Sequence, residues 1–431
     1  MPIWNRDKEC MPVGRLRELQ LERLRGTVSR CLAGSGAYRE KLSKAGVTAE
    51  DIRRLDDLRQ LPFTTPAELE ASYPLGMLAA PIEEIACTHS VTAQDGKPCV
   101  AAYTQPDLEV WAELSARVLS MAGVKKSSVV QVAFDHGLLA ESFGMHLGVE
   151  RIGARLMPDS VSDKRRQAQL IADLGTTHLA CTPRYALHVI DAAASFGMRL
   201  GRTRLEAGIL GGEPWSERLR QQIESGLGAP TFDHYGPAEI LPAAVAAECD
   251  MRDGLHLFQD HIIAEVVKPD SGEPVEAGAT GELVITTLTL TGSPVLRYRT
   301  GDRTTITHHP CACGRTFARM GRITSRAGQP LLIRGTPISP ERIEQVLTDA
   351  AGHVPPYQVR CDPREIAEDI ELRIEVTPRL LSDAMRNLRA LEARVRDHFL
   401  RTLTMTVRVR FVEPGALPEV VRPSERIVYA S

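Results

Sequence analysis

Pro294-Val-Leu-Arg-Tyr-Arg-Thr-Gly-Asp302 is the stretch on which the reading of this chain turns, and Tyr235-Gly-Pro-Ala-Glu239 is its companion upstream. Around the first of them the pattern is strand-rich. From Leu255 onward, Ile262–Val267 and Leu283–Leu288 read as strands separated by Gly/Pro turns. Upstream, Val129–Phe134, Arg151–Met157, Thr177–Cys181 and Ala207–Leu210 read as buried strands. Helical segments of roughly 12–15 residues lie between them, which is the alternation of an α/β layered domain. A helical stretch from Asp107 to Ala122 leads into the first strand. Leu16, Leu19, Leu24, Val28 and Leu32 recur at helical spacing in a charged background and predict an amphipathic N-terminal helix. Pro62-Phe-Thr-Thr-Pro66 is a breaker.

Downstream, Gly328-Gln-Pro330 marks a hinge into a smaller domain. Pro340–Leu347 reads as a helix with proline in its first turn. Ile370–Val376 alternates as a half-exposed strand, Leu381–Phe399 reads as a second helix, and Val407–Val412 as a last strand. The expected organisation is a large multi-layer α/β domain over residues 1–326 and a small α+β lid over 327–431.

Composition narrows the function classes. The chain has 431 residues, a net charge of -3 and 43% hydrophobic content, ordinary values for a globular protein. That charge argues against a nucleic-acid binder that works by neutralising phosphates. No apolar stretch is long enough to cross a membrane, and the polar start Met1-Pro-Ile-Trp-Asn-Arg-Asp lacks the core of a signal peptide. Nine scattered cysteines suggest reduced thiols and a metal site, not a disulfide framework. The expected location is the cytoplasm.

The two opening stretches resemble the phenylacetate–CoA ligase branch of the AMP-forming adenylate superfamily. Gln20–Arg25, Leu61–Pro66, Tyr73–Met77, Gly211-Gly-Glu-Pro-Trp215, Cys311–Arg315 and Leu331–Gly335 resemble the same branch in the same order. The resemblance implies that Tyr235 packs near adenine, that Glu239 helps hold Mg²⁺, that Asp302 accepts from the ribose hydroxyls and that Arg326 lies close to the same sugar. These roles suit the residue types, since one carboxylate can accept from two neighbouring hydroxyls and another can offer oxygen to a hard cation. The plainer alternative is that Asp302 and Arg326 make ordinary polar contacts.

Three departures from the family pattern bear on the chemistry. The phosphate loop is Val91-Thr-Ala-Gln-Asp-Gly-Lys-Pro98, which keeps Gly96, Lys97 and Pro98 but has Ala93 and Gln94-Asp95 where small and hydroxyl residues are expected. Backbone N–H groups cradle phosphates where glycine permits close approach. Asp95 at ~4 Å from a phosphate, with an effective dielectric near 20, would repel it by on the order of 4 kcal/mol before screening, unless Mg²⁺ offsets it or the side chain turns outward; the alternative is a solvated surface turn. Second, Pro423 stands where the family's C-terminal adenylation lysine is expected, flanked by Arg422 and Arg426. Arginine's planar fork does not reproduce a lysine point charge. Third, the hinge's paired aspartates are replaced by Gly328 and Gln329.

The same alignment places an acyl pocket at Phe134-Asp-His-Gly-Leu-Leu139 and at Gly211, Gly212 and Glu213. His136 replaces an aromatic residue. It would bind a polar or carboxylate substrate, act as a general base, or be a histidine satisfied by neighbouring backbone. Val161-Ser162 replaces a glycine pair, and branching at Val161 should narrow the pocket. Glycines at 211 and 212 would let a flat ligand approach the backbone.

Cys249, His256, Cys311 and Cys313 supply three thiols and an imidazole, a set suited to tetrahedral Zn²⁺, and some relatives carry zinc at a matching set. His308 or His309 could take the place of His256, and four reduced residues without a metal are the alternative. A closed four-ligand site would be structural.

Three function classes follow. The first is an aryl- or small-acyl–CoA ligase using ATP and Mg²⁺, with adenylation impaired. The second is ATP-independent acyl transfer or condensation on a pre-activated substrate, with CoA or a carrier protein as acceptor. The third is a non-catalytic binding protein. The partners expected are small molecules and a second copy of the chain as a homodimer.

Overall fold

The structure is a computed structural model, and it describes residues 3–92, 98–134, 141–158, 164–323, 325–326, 331–333, 336–338, 340–361, 370–376, 384–403, 407–417 and 427–429. The chain divides into two compact units, Met1–Arg326 and Ala327–Ser431.

A nine-stranded sheet organises the larger unit. Its parallel part runs in the order Arg155–Pro158, Val129–Ala133, His178–Cys181, Ala207–Leu210, Thr231–Tyr235. The three inner strands ahead of Thr231–Tyr235 are buried along their whole length, as parallel strands covered on both faces must be. Antiparallel strands Ala246–Glu248, Leu255–Leu257, Arg319–Met320 and Ile306–Thr307 extend the sheet. The earliest of the parallel strands, Val129–Ala133, lies second in the sheet. Successive connections therefore leave it in opposite directions and open a crevice at the carboxyl ends of Val129–Ala133 and His178–Cys181.

Local sequence explains the helices that frame this crevice. Thr104 and Asp107 form a capping box at the start of Gln105–Met121, with Pro106 in the first turn. That helix buries Trp111, Leu114, Val118 and Leu119 in the main core. Glu141–Ile152 packs beside it so closely that a Cβ on Gly144 would lie 2.2 Å from the Trp111 Nε1. Arg151 and Ile152 therefore belong to a helix, not to the expected strand at 151–157. Gly153 at φ 75° stops the helix, donating to the carbonyls of Val149 and Glu150, and the strand starts at Arg155.

A four-stranded antiparallel sheet, Ile262–Val267, Gly281–Thr287, Tyr298–Thr304 and Ser325–Arg326, carries the Asp302 segment. The hairpin Ile85–Thr92 and Pro98–Thr104 flanks the phosphate-loop sequence. Residues 93–97, with Lys97, lie outside the described residues.

The smaller unit is a four-stranded sheet ordered Val407–Val412, Ile370–Glu375, Tyr357–Cys361, Ile427–Tyr429. Helices Pro340–Ala351 and Ala384–Leu403 accompany it. Ile343, Val346, Leu347, Val395 and Phe399 meet Tyr357, Leu372 and Ile374 in a core of its own. No helix among the described residues is long and apolar enough to cross a membrane.

Candidate functional site

The register of the parallel sheet aligns Ala133, Cys181, Leu210 and Asp233 across four strands. The next residues, Phe134, Thr182, Gly211 and His234, form the following row at the carboxyl ends. Neighbours in register point to the same face. Phe134 is fully buried and meets the His234 ring edge-on, with centroids 6.0 Å apart. The His234 ring lies against Gly211, where a Cβ would fall 2.3 Å from its Cε1. Gly212 has φ 80°, which glycine adopts without strain, and a Cβ there would be 3.7 Å from both Glu141 Oε1 and Thr182 Cγ2. The His234 ring thus occupies the space over Gly211, while Glu141 and Thr182 border Gly212 at van der Waals distance.

Glu213 turns elsewhere. Its carboxylate accepts from the Arg184 N–H at 2.7 Å and faces the Arg184 guanidinium at 3.6 Å, so it serves the start of helix Pro183–Ser195. His136, also read from the sequence as an acyl-site residue, lies outside the described residues, as do Val161 and Ser162.

Tyr235 and Asp302 come together. The Tyr235 hydroxyl donates to Asp302 Oδ2 at 2.5 Å. Asp302 is 5% exposed, and its own N–H is held by Thr300 Oγ1 at 3.0 Å. Arg326 is paired with Asp302 in strand register. Gly236 allows the tight turn after Tyr235, since a Cβ there would strike the Leu241 carbonyl at 2.2 Å. Glu239 follows in that turn. Lys97, Gly328, Gln329 and Arg422–Arg426, with Pro423, lie outside the described residues.

Trp215, from the Gly211–Trp215 segment, is held by two guanidiniums, with Arg220 and Arg322 at 4.9 and 4.8 Å from its ring centre. Arg220 also reaches Glu248 at 2.6 Å, and Arg322 reaches Glu217 at 3.3 Å and Asp233 at 3.7 Å. Burial, with the charge of Glu248 beside it, lifts the Asp233 carboxyl to about 8.

The four metal-ligand candidates converge, with all donor atoms within 4.8 Å of one another. Cys249 and Cys311 sulfurs are 3.8 Å apart, and Cys313 Sγ is 3.4 Å from His256 Nε2. For a tetrahedral zinc with Zn–S ~2.3 Å and Zn–N ~2.05 Å, those separations should be about 3.8 and 3.6 Å. The donor set therefore fits that ion. Burial raises the Cys249 thiol to about 12. Burial also works against a Cys313 thiolate, but bonds from His256 and Arg315 outweigh it and bring that thiol to about 5. Arg315 is in turn held by the fully buried Glu9 at 2.6 Å. His256 is the imidazole in the cluster; His308 and His309 are not part of it.

Sequence reading does not single out Glu141 or His234. The signal available was a carboxylate inside the apolar run Leu138-Leu-Ala-Glu-Ser-Phe143, and a histidine one residue before Tyr235.

Comparison with known proteins accords with this layout. The AMP-binding enzyme family model matches residues 114–292, and the AMP-binding enzyme C-terminal domain model matches 335–430. The phenylacetate-coenzyme A ligase of Thermus thermophilus is 37% identical over 429 residues, covering 96% of each chain. That of Escherichia coli is 34% identical over 412 residues, covering 95% of this chain and 94% of its own. Among solved structures, 2-hydroxyisobutyryl-CoA ligase in complex with 2-HIB-AMP and CoA superposes with a TM-score of 0.80 at 24% identity, over 100% of this chain and 93% of that one.

Proposed function

The chain belongs to the phenylacetate–coenzyme A ligase family of AMP-binding enzymes, and from that premise we propose that it binds a small or aryl carboxylic acid beside an adenosine nucleotide, with adenylation much weakened. The observation that carries this reading is the alignment of Phe134, Gly211 and His234 at the sheet's carboxyl ends, next to the Tyr235–Asp302 pair. An acid bound at those carboxyl ends would adjoin an acceptor suited to ribose hydroxyls. Asp302 and Tyr235 would hold the nucleotide, Glu239 would offer oxygen to Mg²⁺, and Gly212 would let the acid approach the backbone.

The weakening rests on Pro423 and on Ala93 and Asp95. A proline at the position of the adenylation lysine supplies no charge to the α-phosphate, and an aspartate in the phosphate-loop sequence would add a negative charge if it faced the leaving pyrophosphate. This favours a second reading, acyl transfer from an already activated substrate to CoA or a carrier protein on the same scaffold.

The Cys249, His256, Cys311 and Cys313 cluster would hold zinc in a closed, structural role. Support comes from the match of its separations to tetrahedral geometry and from the low Cys313 thiol.

Calorimetry with ATP–Mg²⁺ and with AMP tests the main reading. Binding in the micromolar to millimolar range that is lost in Asp302→Ala is the expected result. A chain that binds neither nucleotide would leave only the pre-activated-substrate and non-catalytic readings.

A further inference from the structure

Two buried side chains at the proposed acid site keep polar atoms that the described residues do not satisfy. Glu141 is the first residue of helix Glu141–Ile152 and is 5% exposed. Its Oε2 has no hydrogen-bond partner among the described residues, and its Oε1 lies at the edge of Gly212. His234 is 3% exposed, and neither of its ring nitrogens has a partner among the described residues. Leaving such groups unpaired costs about 1–3 kcal/mol each. They stand at neighbouring positions, against Gly211 and Gly212, at the carboxyl ends of the strands where open α/β sheets bind ligands. Burial pushes the Glu141 carboxyl up to about 7, with Glu239 adding to the rise, and holds the His234 imidazole neutral, at about 3.

We propose that Glu141 and His234 select a carboxylic acid that carries an amino group, so that the substrate's N–H donors satisfy the Glu141 carboxylate and the free ring nitrogen of His234. An unsubstituted aryl acid such as phenylacetate would bury both groups against hydrocarbon and leave them unpaired. An amino group has two or more donors, enough for both acceptors. A hydroxyl has one donor, but its lone pairs can accept from the His234 N–H while it donates to Glu141, so it should rank between an amino group and hydrocarbon. Neutral arylamines and alkyl ammonium groups share this donor chemistry. The inference rests on the proposed acid site and names its substrate class.

The test is calorimetric binding of four probes to the full chain in the presence of AMP: phenylacetate, 4-aminophenylacetate, 4-hydroxyphenylacetate and 4-aminobutyrate. The expected result is that at least one amino acid probe binds ten-fold or more tightly than phenylacetate, with the hydroxy analogue between them. In Glu141→Ala and in His234→Leu that preference should collapse, with phenylacetate gaining affinity as the amino probe loses it. A reversal of this kind is not produced by general loss of structure. Glu141→Ala removes a buried carboxylate whose Oε2 is unpaired, so its melting temperature should stay near or above that of the parent, which guards against misfolding as an explanation. Phenylacetate binding as tightly as the amino probes overturns the inference, as does the hydroxy analogue binding more tightly than they do, or a preference unchanged in both variants. If AMP binds while phenylacetate wins, only this inference fails. If neither AMP nor any acid binds, the underlying reading fails and takes the inference with it.

Discussion

The Tyr235 hydroxyl donates to Asp302 Oδ2 at 2.5 Å, so a residue next to the proposed acid site and the acceptor expected for ribose are joined by one short bond. A nucleotide that placed its ribose hydroxyls on Asp302 would share that carboxylate with Tyr235. Asp302→Ala should therefore lower AMP affinity by at least ten-fold. Tyr235→Phe should change it by only a few-fold, in line with the net worth of one hydrogen bond, about 0.5–1.5 kcal/mol. Isothermal titration with AMP checks both. Equal losses in the two variants would show that Tyr235 contributes more than its hydroxyl.

Adenylation itself should be feeble. Loss of a preorganised charge at the reacting centre typically costs about 10²–10³ in rate, so exchange of pyrophosphate into ATP with common aryl acids should fall near background. A repair series sharpens this. Pro423→Lys, with Val91–Asp95 rebuilt as Ser-Ser-Gly-Thr-Thr, should raise exchange if Asp302 still holds ATP. Robust exchange by the unaltered chain would instead point to Arg422, Arg426 or Lys97 as the source of the missing charge.

Chelator-free protein should contain about one zinc per chain, with Zn–S near 2.3 Å by X-ray absorption. Cys313→Ser should lower the melting temperature more than it lowers ligand binding, because four protein donors leave no position for substrate. Metal-free protein with unchanged stability would reduce the cluster to four ordinary side chains.

Arg117 and Asp260 form a fully buried pair with two bonds, at 2.8 and 3.0 Å. Burial opposes ionisation of Asp260, but His261 and Arg117 outweigh it and hold the carboxyl well below its usual range. A carboxyl with a depressed native pKa contributes stability that is complete above its unfolded value, ~3.9, and is lost as pH falls below it. Asp260→Asn should destabilise the larger unit by about 3–5 kcal/mol at pH 7, since it removes the two-bonded partner of a buried guanidinium and leaves it the 3.5 Å contact with Glu113. The gap between parent and variant should shrink below pH 4. A gap independent of pH in denaturant titrations would mean that packing, not charge, makes the difference.

Much of this was legible in the chain before its structure. Strands Ala207–Leu210, Ile262–Val267 and Val407–Val412 fall where hydrophobic runs and β-branched residues place them. Cys311-Ala-Cys313 fell within reach of Cys249 and His256 because a Gly-bounded turn leaves two thiols free to point to one centre. Arg151 and Ile152 misled, because the signal that ends their helix is the φ of Gly153, and apolar periodicity does not report it. The glycines beside Glu213 say nothing of its carboxylate accepting from the Arg184 N–H at the start of another helix. Glu141 and His234 went unread for a related reason. A polar residue in an apolar run looks the same in sequence whether the fold satisfies it or leaves it waiting.

The Glu9–Arg315 pair spans 306 residues and ends beside Cys313. Closure over such a length is entropically slow to be rewarded, although each doubling of a loop adds only about 0.6 kcal/mol. During synthesis the short N-terminal helix Arg6–Glu9 has no use for its buried carboxylate until the turn at residues 311–315 has emerged. The thiol cluster is complete at the same moment. Its occupancy would therefore report that the larger unit has closed on itself, start to finish, before the smaller unit has been made.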